Sequence, residues 1–230
     1  MKPIAIFYHC LTHLGNPPQL RPGAVGIIRD QMDVLMESGL LYECSEFIVG
    51  INGGSESREV ANLLLPTKAQ LVLHGLESRA ENLTLVEIEK FVKTHPDYHV
   101  LYFHAKGCTH PPGDAMRDRW RECMMHHLVK NWRRCVADLD AGAESVGCHW
   151  MTGKQTPPGQ SIWAGNFWFA KSDFLQTLPS IYARDRIKVS GIASLESRYE
   201  SEVWIGNGPR LPRIKDYCPG WTPGKEHVSR

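Results

Sequence analysis

His104-Ala105-Lys106-Gly107 sets an imidazole and an ammonium two positions apart, beside a glycine, directly after the apolar run His99 to Phe103. Both side chains donate hydrogen bonds and carry or accept positive charge, which is the chemistry that holds a diphosphate. The plainer reading stands beside it: Lys106 as a solvated loop residue and His104 as a satisfied, partly buried one. In open α/β sheets ligands bind beyond the carboxyl ends of the strands, so the matching positions are those that follow other apolar runs. They are His9, Asn52-Gly53-Gly54 and His74-Gly75.

Further polar groups lie downstream. Arg117, Arg119, Arg121, Lys130, Arg133 and Arg134 accumulate with Trp120 and Trp132 interleaved, while Asp114, Asp118 and Glu122 offset the first of them. A helix with an apolar stripe normally has a charged opposite face, so most of these are surface groups; Arg117 and Arg121, nearest the lysine loop, are the ones placed to face a ligand. His126-His127 is an adjacent pair whose rings diverge on a helix, so no metal is expected there. In Ala164-Gly165-Asn166-Phe167-Trp168-Phe169-Ala170 a single amide sits among aromatics and needs partners, either structural or a ligand's hydroxyls. Arg198 and Glu202 form an i, i+4 pair, more often a salt bridge than a catalytic element, with Glu196 and Glu200 nearby. A general base among these carboxylates stays open.

The elements that must position these groups alternate. Ile4 to Tyr8 is a short apolar run stopped by a turn-rich stretch from Gly15 to Gly23, as expected of a buried strand. Val25, Ile28, Met32, Leu35 and Met36 recur at helical spacing between Ala24 and Ser38, and Gly39 is placed to end that helix. Phe47 to Ile51 is a second strand. A helix near 56–65, a strand at 70–73, a helix near 83–94 and a strand at 99–103 follow. Such alternation predicts a largely parallel sheet covered on both faces. A long helix is expected over 114–139, its stripe of Trp120, Met124, Leu128, Trp132 and Val136 forming core. Beyond it, 146–151 and 163–170 read as strands and 174–178 and 194–204 as helices, with a Gly- and Pro-rich tail from Gly206. One domain over 1–230 is expected.

Composition narrows the classes. The 26 Lys plus Arg against 25 Asp plus Glu leave a formal net charge of +1, so no global field recruits nucleic acid or an anionic membrane. The seven cysteines are scattered, with no CxxC pair, so neither a disulfide framework nor a zinc knuckle is expected and a reducing cytoplasm fits best. The first apolar run is too brief for a signal segment or a membrane span.

Taken in order, Tyr102 to Gly107, Arg119-Trp120-Arg121 with Met124, Gly165-Asn166-Phe167-Trp168, and Arg198 with Glu202-Val203-Trp204-Ile205-Gly206 resemble a family of bacterial glycosyltransferase-like proteins with a GT-A-type nucleotide-sugar-binding domain. Gln31 to Leu40 and the run from Ile48 to Gly53 are also similar to it, so the resemblance covers most of the chain. It implies an α/β, GT-A-like (Rossmann-like) three-layer sandwich with a mostly parallel central sheet. It also implies a nucleotide-diphosphate sugar as donor and a glycan or other hydroxyl acceptor. GT-A enzymes commonly carry Asp-x-Asp at the end of a central strand to bind a divalent metal. Here the only Asp-x-Asp is Asp138-Leu139-Asp140, in the wrong context, and His104 to Gly107 takes the motif's place, with Lys106 able to replace the metal electrostatically.

The resemblance thus implies metal-independent sugar transfer without a cofactor. His9, Asn52, Gly53, His104, Lys106 and Gly107 would bind the donor, with Asn166, Trp168, Arg117 and Arg121 toward sugar or acceptor. Glu202 would be the catalytic base, with Glu196 and Glu200 as fallbacks. The alternative is a non-catalytic nucleotide- or glycan-binding module of a polysaccharide-biosynthesis machine. A metal-dependent hydrolase drawing on the 11 histidines ranks last, for want of a ligand-spaced motif.

Overall fold

The computed structural model describes residues 2–14, 19–20, 23–53, 57–74, 81–108, 113–152, 161–182 and 198–220. Its centre is strand β1, Ile4–Leu11, whose successive residues face opposite sides of the sheet. Ile4, Ile6, Tyr8 and Cys10 enter one core; Ala5 and Phe7 enter another. A strand buried on both faces can be apolar throughout, which is why this segment shows no alternation.

Two short ribbon strands, β2 (His13–Leu14) and β3 (Gln19–Leu20), follow, then helix α1 (Ala24–Glu37), the short helix α2 (Leu40–Glu43) and strand β4 (Glu46–Asn52). Helix α3 (Arg58–Leu64), strand β5 (Gln70–Leu73), helix α4 (Asn82–Thr94) and strand β6 (His99–His104) complete the alternating part. The second half holds α5 (Ala115–Met125), α6 (Trp132–Asp140), β7 (Ser145–Gly147), β8 (Trp150–Met151), β9 (Ile162–Trp163), β10 (Trp168–Lys171), α7 (Ser172–Leu175), α8 (Arg198–Val203) and β11 (Ile214–Asp216).

The main sheet has seven strands in the order β11-β7-β10-β6-β1-β4-β5. β10 alone runs against its neighbours; the β1–β4, β1–β6, β4–β5 and β7–β11 pairs are parallel. Helices α1, α3, α5 and α6 pack Ile28, Met32, Leu35, Val60, Met124 and Trp132 onto one face, while α4 and α7 pack Leu85, Ile88, Val92 and Phe174 onto the other. The protein is an α/β three-layer sandwich with a mostly parallel central sheet. Among the described residues no helix is long and apolar enough to cross a membrane.

Three of the expected elements break in the structure. The helix expected over 114–139 is two helices joined by a π turn at His126–Lys130, where the Asn131 amide reaches back five residues to the His126 carbonyl, at 3.1 Å. Its stripe still faces the core, because the extra residue lets Leu128 and Trp132 both stay buried. The strand expected over 163–170 breaks into β9 and β10 around Gly165 and Asn166, which have φ of 86° and 54°. The run 146–151 likewise breaks at His149, with φ of 65°. Two successive left-handed residues turn a chain sharply, so the apolar flanks on either side read in sequence as one strand. Glycine is required at 165 for a second reason: a Cβ there would stand 2.9 Å from the Met124 sulfur.

Candidate functional site

Strand order reverses between β1 and β6: the chain proceeds outward from β1 to β4 and β5 on one side, then returns to β6 on the other. In open α/β sheets ligands bind in the crevice beyond the carboxyl ends at such a switch point. His9 and His104 are register partners across it. Buried Gln31 of α1 braces the edge, accepting from the Tyr8 hydroxyl at 2.8 Å and donating to the His104 carbonyl at 3.1 Å.

One side of the crevice is cationic. Lys106 is only 7% exposed, with its Nζ 3.8 Å from the centroid of the Trp120 ring. An aromatic face stabilises a partly desolvated ammonium by about 2 kcal/mol, which favours keeping the charge in place over returning it to water. Arg121 is buried and donates to the Lys106 carbonyl at 3.1 Å while pairing with Asp118 at 2.9 Å, so it anchors the loop to α5. Gly107, with φ of 97°, is needed here because a Cβ would come 3.0 Å from that guanidinium. Arg117 pairs with Asp114, the residue whose carboxylate also caps α5 by accepting from the Arg117 amide at 3.2 Å.

The other side is acidic and centres on Glu81, a residue the sequence reading did not single out. Its Oε2 accepts from the Tyr102 hydroxyl at 3.0 Å and from the Asn166 amide at 2.7 Å, and its Oε1 lies 3.8 Å from His104 Nδ1. His104 Nε2 donates to the Gly165 carbonyl at 2.9 Å. Both ring nitrogens therefore face oxygens. Asn166 answers the demand raised by its apolar surroundings, since its Oδ1 also accepts from the Trp168 indole at 3.0 Å. Burial, then the Glu81 charge and hydrogen bond, then the Glu202 charge hold the Tyr102 phenol well above its usual range, so it remains a donor. Glu202 is thus brought to the same end of β6. Helix α8, which carries it, docks on α4 through Ser201 Oγ donating to Asn82 Oδ1 at 2.6 Å.

The two sides explain which expected residues meet. His104, Lys106, Gly107, Asn166, Arg121 and Glu202 gather at this edge. His9, Asn52 and Trp168 are 1%, 1% and 0% exposed, as buried as Asn166 at 1%, and lie at the carboxyl ends of β1 and β4 and the start of β10. Gly53 is buried beside Asn52, whose carbonyl accepts from both the amide and the hydroxyl of Thr12, each at 3.2 Å. Asp138 and Asp140 accept from the Tyr217 hydroxyl at 2.8 Å and from His99 Nε2 at 2.9 Å, so the only Asp-x-Asp is structural. Gly54, Gly75 and Glu196, with the side chains of Arg198 and Glu200, lie outside the described residues. Glu81 follows no periodic signal, standing seven residues beyond His74 at the end of β5.

A divalent cation of the Asp-x-Asp kind does not fit this position. The Lys106 ammonium and the Nε2–H of His104 are donors, and the Oε2 of Glu81, the carboxylate that faces His104, already takes two hydrogen bonds.

Buried His9 sets a pH limit on stability. Its Nδ1 is 2.8 Å from Thr84 Oγ1, and burial, followed by the nearby His104 and His74, pushes its pKa well below the ordinary value. The folded state keeps the ring neutral whereas the unfolded chain protonates it near pH 6.5, so its contribution is full above that pH and declines as pH falls. Melting temperature should therefore drop between pH 7 and pH 5, and His9→Gln should flatten that slope; an unchanged slope would reassign the effect.

No curated protein sequence matches the chain. Among solved structures it is similar to 4-diphosphocytidyl-2C-methyl-D-erythritol synthase from Anaerococcus prevotii DSM 20548, at 11% identity and a TM-score of 0.47, covering 100% of this chain and 94% of that one. It is also similar to CMP:2-keto-3-deoxy-manno-octonic acid synthetase complexed with CTP, at 12% identity and a TM-score of 0.35, covering 65% and 54%. A third is another 4-diphosphocytidyl-2C-methyl-D-erythritol synthase, at 8% identity and a TM-score of 0.40, covering 76% and 78%. Similarity at this level assigns no activity. A family model described as Domain of unknown function (DUF8361) matches residues 7–212.

Proposed function

The chain belongs to the family described as Domain of unknown function (DUF8361), and for this member we propose a metal-independent glycosyltransferase that moves a sugar from a nucleotide-diphosphate sugar to a hydroxyl of a glycan acceptor. The observation that carries it is Lys106, a nearly buried cation stacked on Trp120 at the switch point of the sheet, beside an imidazole whose two nitrogens face oxygens. Lys106 and His104 hold the diphosphate. Glu202 takes the proton of the acceptor hydroxyl, whose oxygen attacks the anomeric carbon. The bond from that carbon to the diphosphate oxygen breaks, and the electron pair leaves on the diphosphate. Fixed cations aimed at that developing charge stabilise the transition state without reorganising. Asn166 and the Glu81 network set the shape of the sugar side.

The second reading, a non-catalytic nucleotide- or glycan-binding module, is favoured by one observation: β6 ends in His104-Ala105-Lys106-Gly107, and the only Asp-x-Asp of the sequence lies in α6. A thermal-shift screen of nucleoside diphosphates and their sugars, followed by assay of nucleoside diphosphate release with glycan acceptors and EDTA, separates the two. Stabilisation with EDTA-insensitive release supports transfer. Stabilisation without release supports the module, and no stabilisation by any nucleotide overturns both.

A further inference from the structure

Three of the seven cysteines converge although 25 and 70 residues separate them in sequence. The sulfurs of Cys123, Cys148 and Cys218 all lie within 4.8 Å of one another, and all three are free thiols. Cys123 and Cys218 are 3.3 Å apart. Zinc binds thiolates at about 2.3 Å, and tetrahedral geometry then sets sulfurs roughly 3.8 Å apart. The observed spacing brackets that value. A disulfide would engage two sulfurs and leave a third buried beside it, so it accounts for the trio less well.

The backbone around the trio is built. Cys148 and Cys218 follow β7 and β11, strands paired in register at Gly147 and Asp216. The Asp216 carboxylate holds both loops: Oδ1 accepts from the amides of His149 at 2.7 Å and Cys218 at 2.9 Å, and Oδ2 accepts from the Trp150 amide at 2.8 Å. It also holds His149 in the left-handed conformation that turns the chain immediately after Cys148. Cys148 and Cys218 are 2% and 5% exposed, and the third sulfur comes from α5. Four residues after Cys123 stands His127, whose ring stacks on Tyr217, the neighbour of Cys218, with ring centroids 5.8 Å apart. Spacing of i, i+4 puts both side chains on one helix face.

We propose that Cys123, Cys148 and Cys218 form a structural site for zinc or a cation of similar softness, with His127 as the fourth ligand once its ring turns toward the trio. Three thiolates and an imidazole select such a metal over magnesium or calcium. The site bolts α5 to the carboxyl ends of β7 and β11. That same helix carries Trp120 and Arg121, so the metal fixes the platform under Lys106 and takes no part in chemistry. The proposal stands whether or not the protein transfers sugar.

Metal analysis of the full chain, purified without an affinity tag that binds metal, tests it directly. One equivalent of zinc per chain is expected, and cobalt exchange should produce the thiolate-to-cobalt charge-transfer absorption of a tetrahedral sulfur-rich site. Cys148→Ser should lose retained zinc and His127→Gln should shift the cobalt spectrum. If Cys148→Ser fails to fold, the native chain alone decides. Absence of both retained zinc and charge-transfer absorption after dialysis against each metal overturns the proposal. So does a Cys123–Cys218 disulfide in protein kept under reducing conditions.

Discussion

Replacing Lys106 by alanine should weaken nucleoside diphosphate binding by at least about thirtyfold, read by calorimetry at fixed salt. Removing one partner of a desolvated charge pair costs roughly 2–5 kcal/mol, and each 1.4 kcal/mol is tenfold in affinity. Lys106→Met is the sharper variant, because it keeps an unbranched stem on Trp120 while deleting the charge. If Met binds the nucleotide as well as the native chain does, the ammonium is not a phosphate ligand. Lys106→Arg should not rescue binding: a planar guanidinium is larger than a point ammonium, and Lys106 is nearly buried on a backbone that Arg121 already holds through the Lys106 carbonyl.

Glu202→Gln should lower the rate of sugar transfer by about 10²–10⁴, the range associated with a positioned general base, while leaving donor affinity within twofold or so. Glutamine preserves size and hydrogen bonding to neighbours but cannot accept the acceptor's proton. Its test is the split between rate and binding. A loss of donor affinity equal to the loss of rate would mean that Glu202 shapes the crevice beside Tyr102 and does no proton transfer. The Lys106 variants, by contrast, should fail first in binding, so the two sets of results distinguish the cationic from the acidic side of the site.

Much of the fold was legible because buried parallel strands are written as unbroken apolar runs. Ile4 to Tyr8, Phe47 to Ile51 and His99 to Phe103 carry that signature, and Val25 to Met36 carries the helical one. The second half was harder for physical reasons. The π turn at His126–Lys130 leaves the apolar stripe intact, so periodicity cannot reveal it. The turn at Gly165 and Asn166 interrupts two apolar strands with residues that an extended segment also tolerates. In the site, His104 and Lys106 follow a strand end and can be found by that rule. Glu81 sits in a connection of no fixed period, and its role emerges only from Tyr102 and Asn166 meeting across 21 and 85 residues of sequence. The cysteines have no spacing motif because strands β7 and β11, distant in sequence, are neighbours in the sheet.

The order of the strands also carries a schedule. β7 pairs only with β10 and β11, both of which lie further along the chain. As the protein is synthesised, residues 145–147 emerge with no place to dock until β10 has inserted, reversed, against β6. The first half can assemble β1, β4, β5 and β6 as each appears, whereas the second half must wait and then close out of sequence. Nascent chains halted between β7 and β10 would therefore hold a finished half-sheet whose β6 edge is still open, and that interval is when the growing protein has greatest need of shelter.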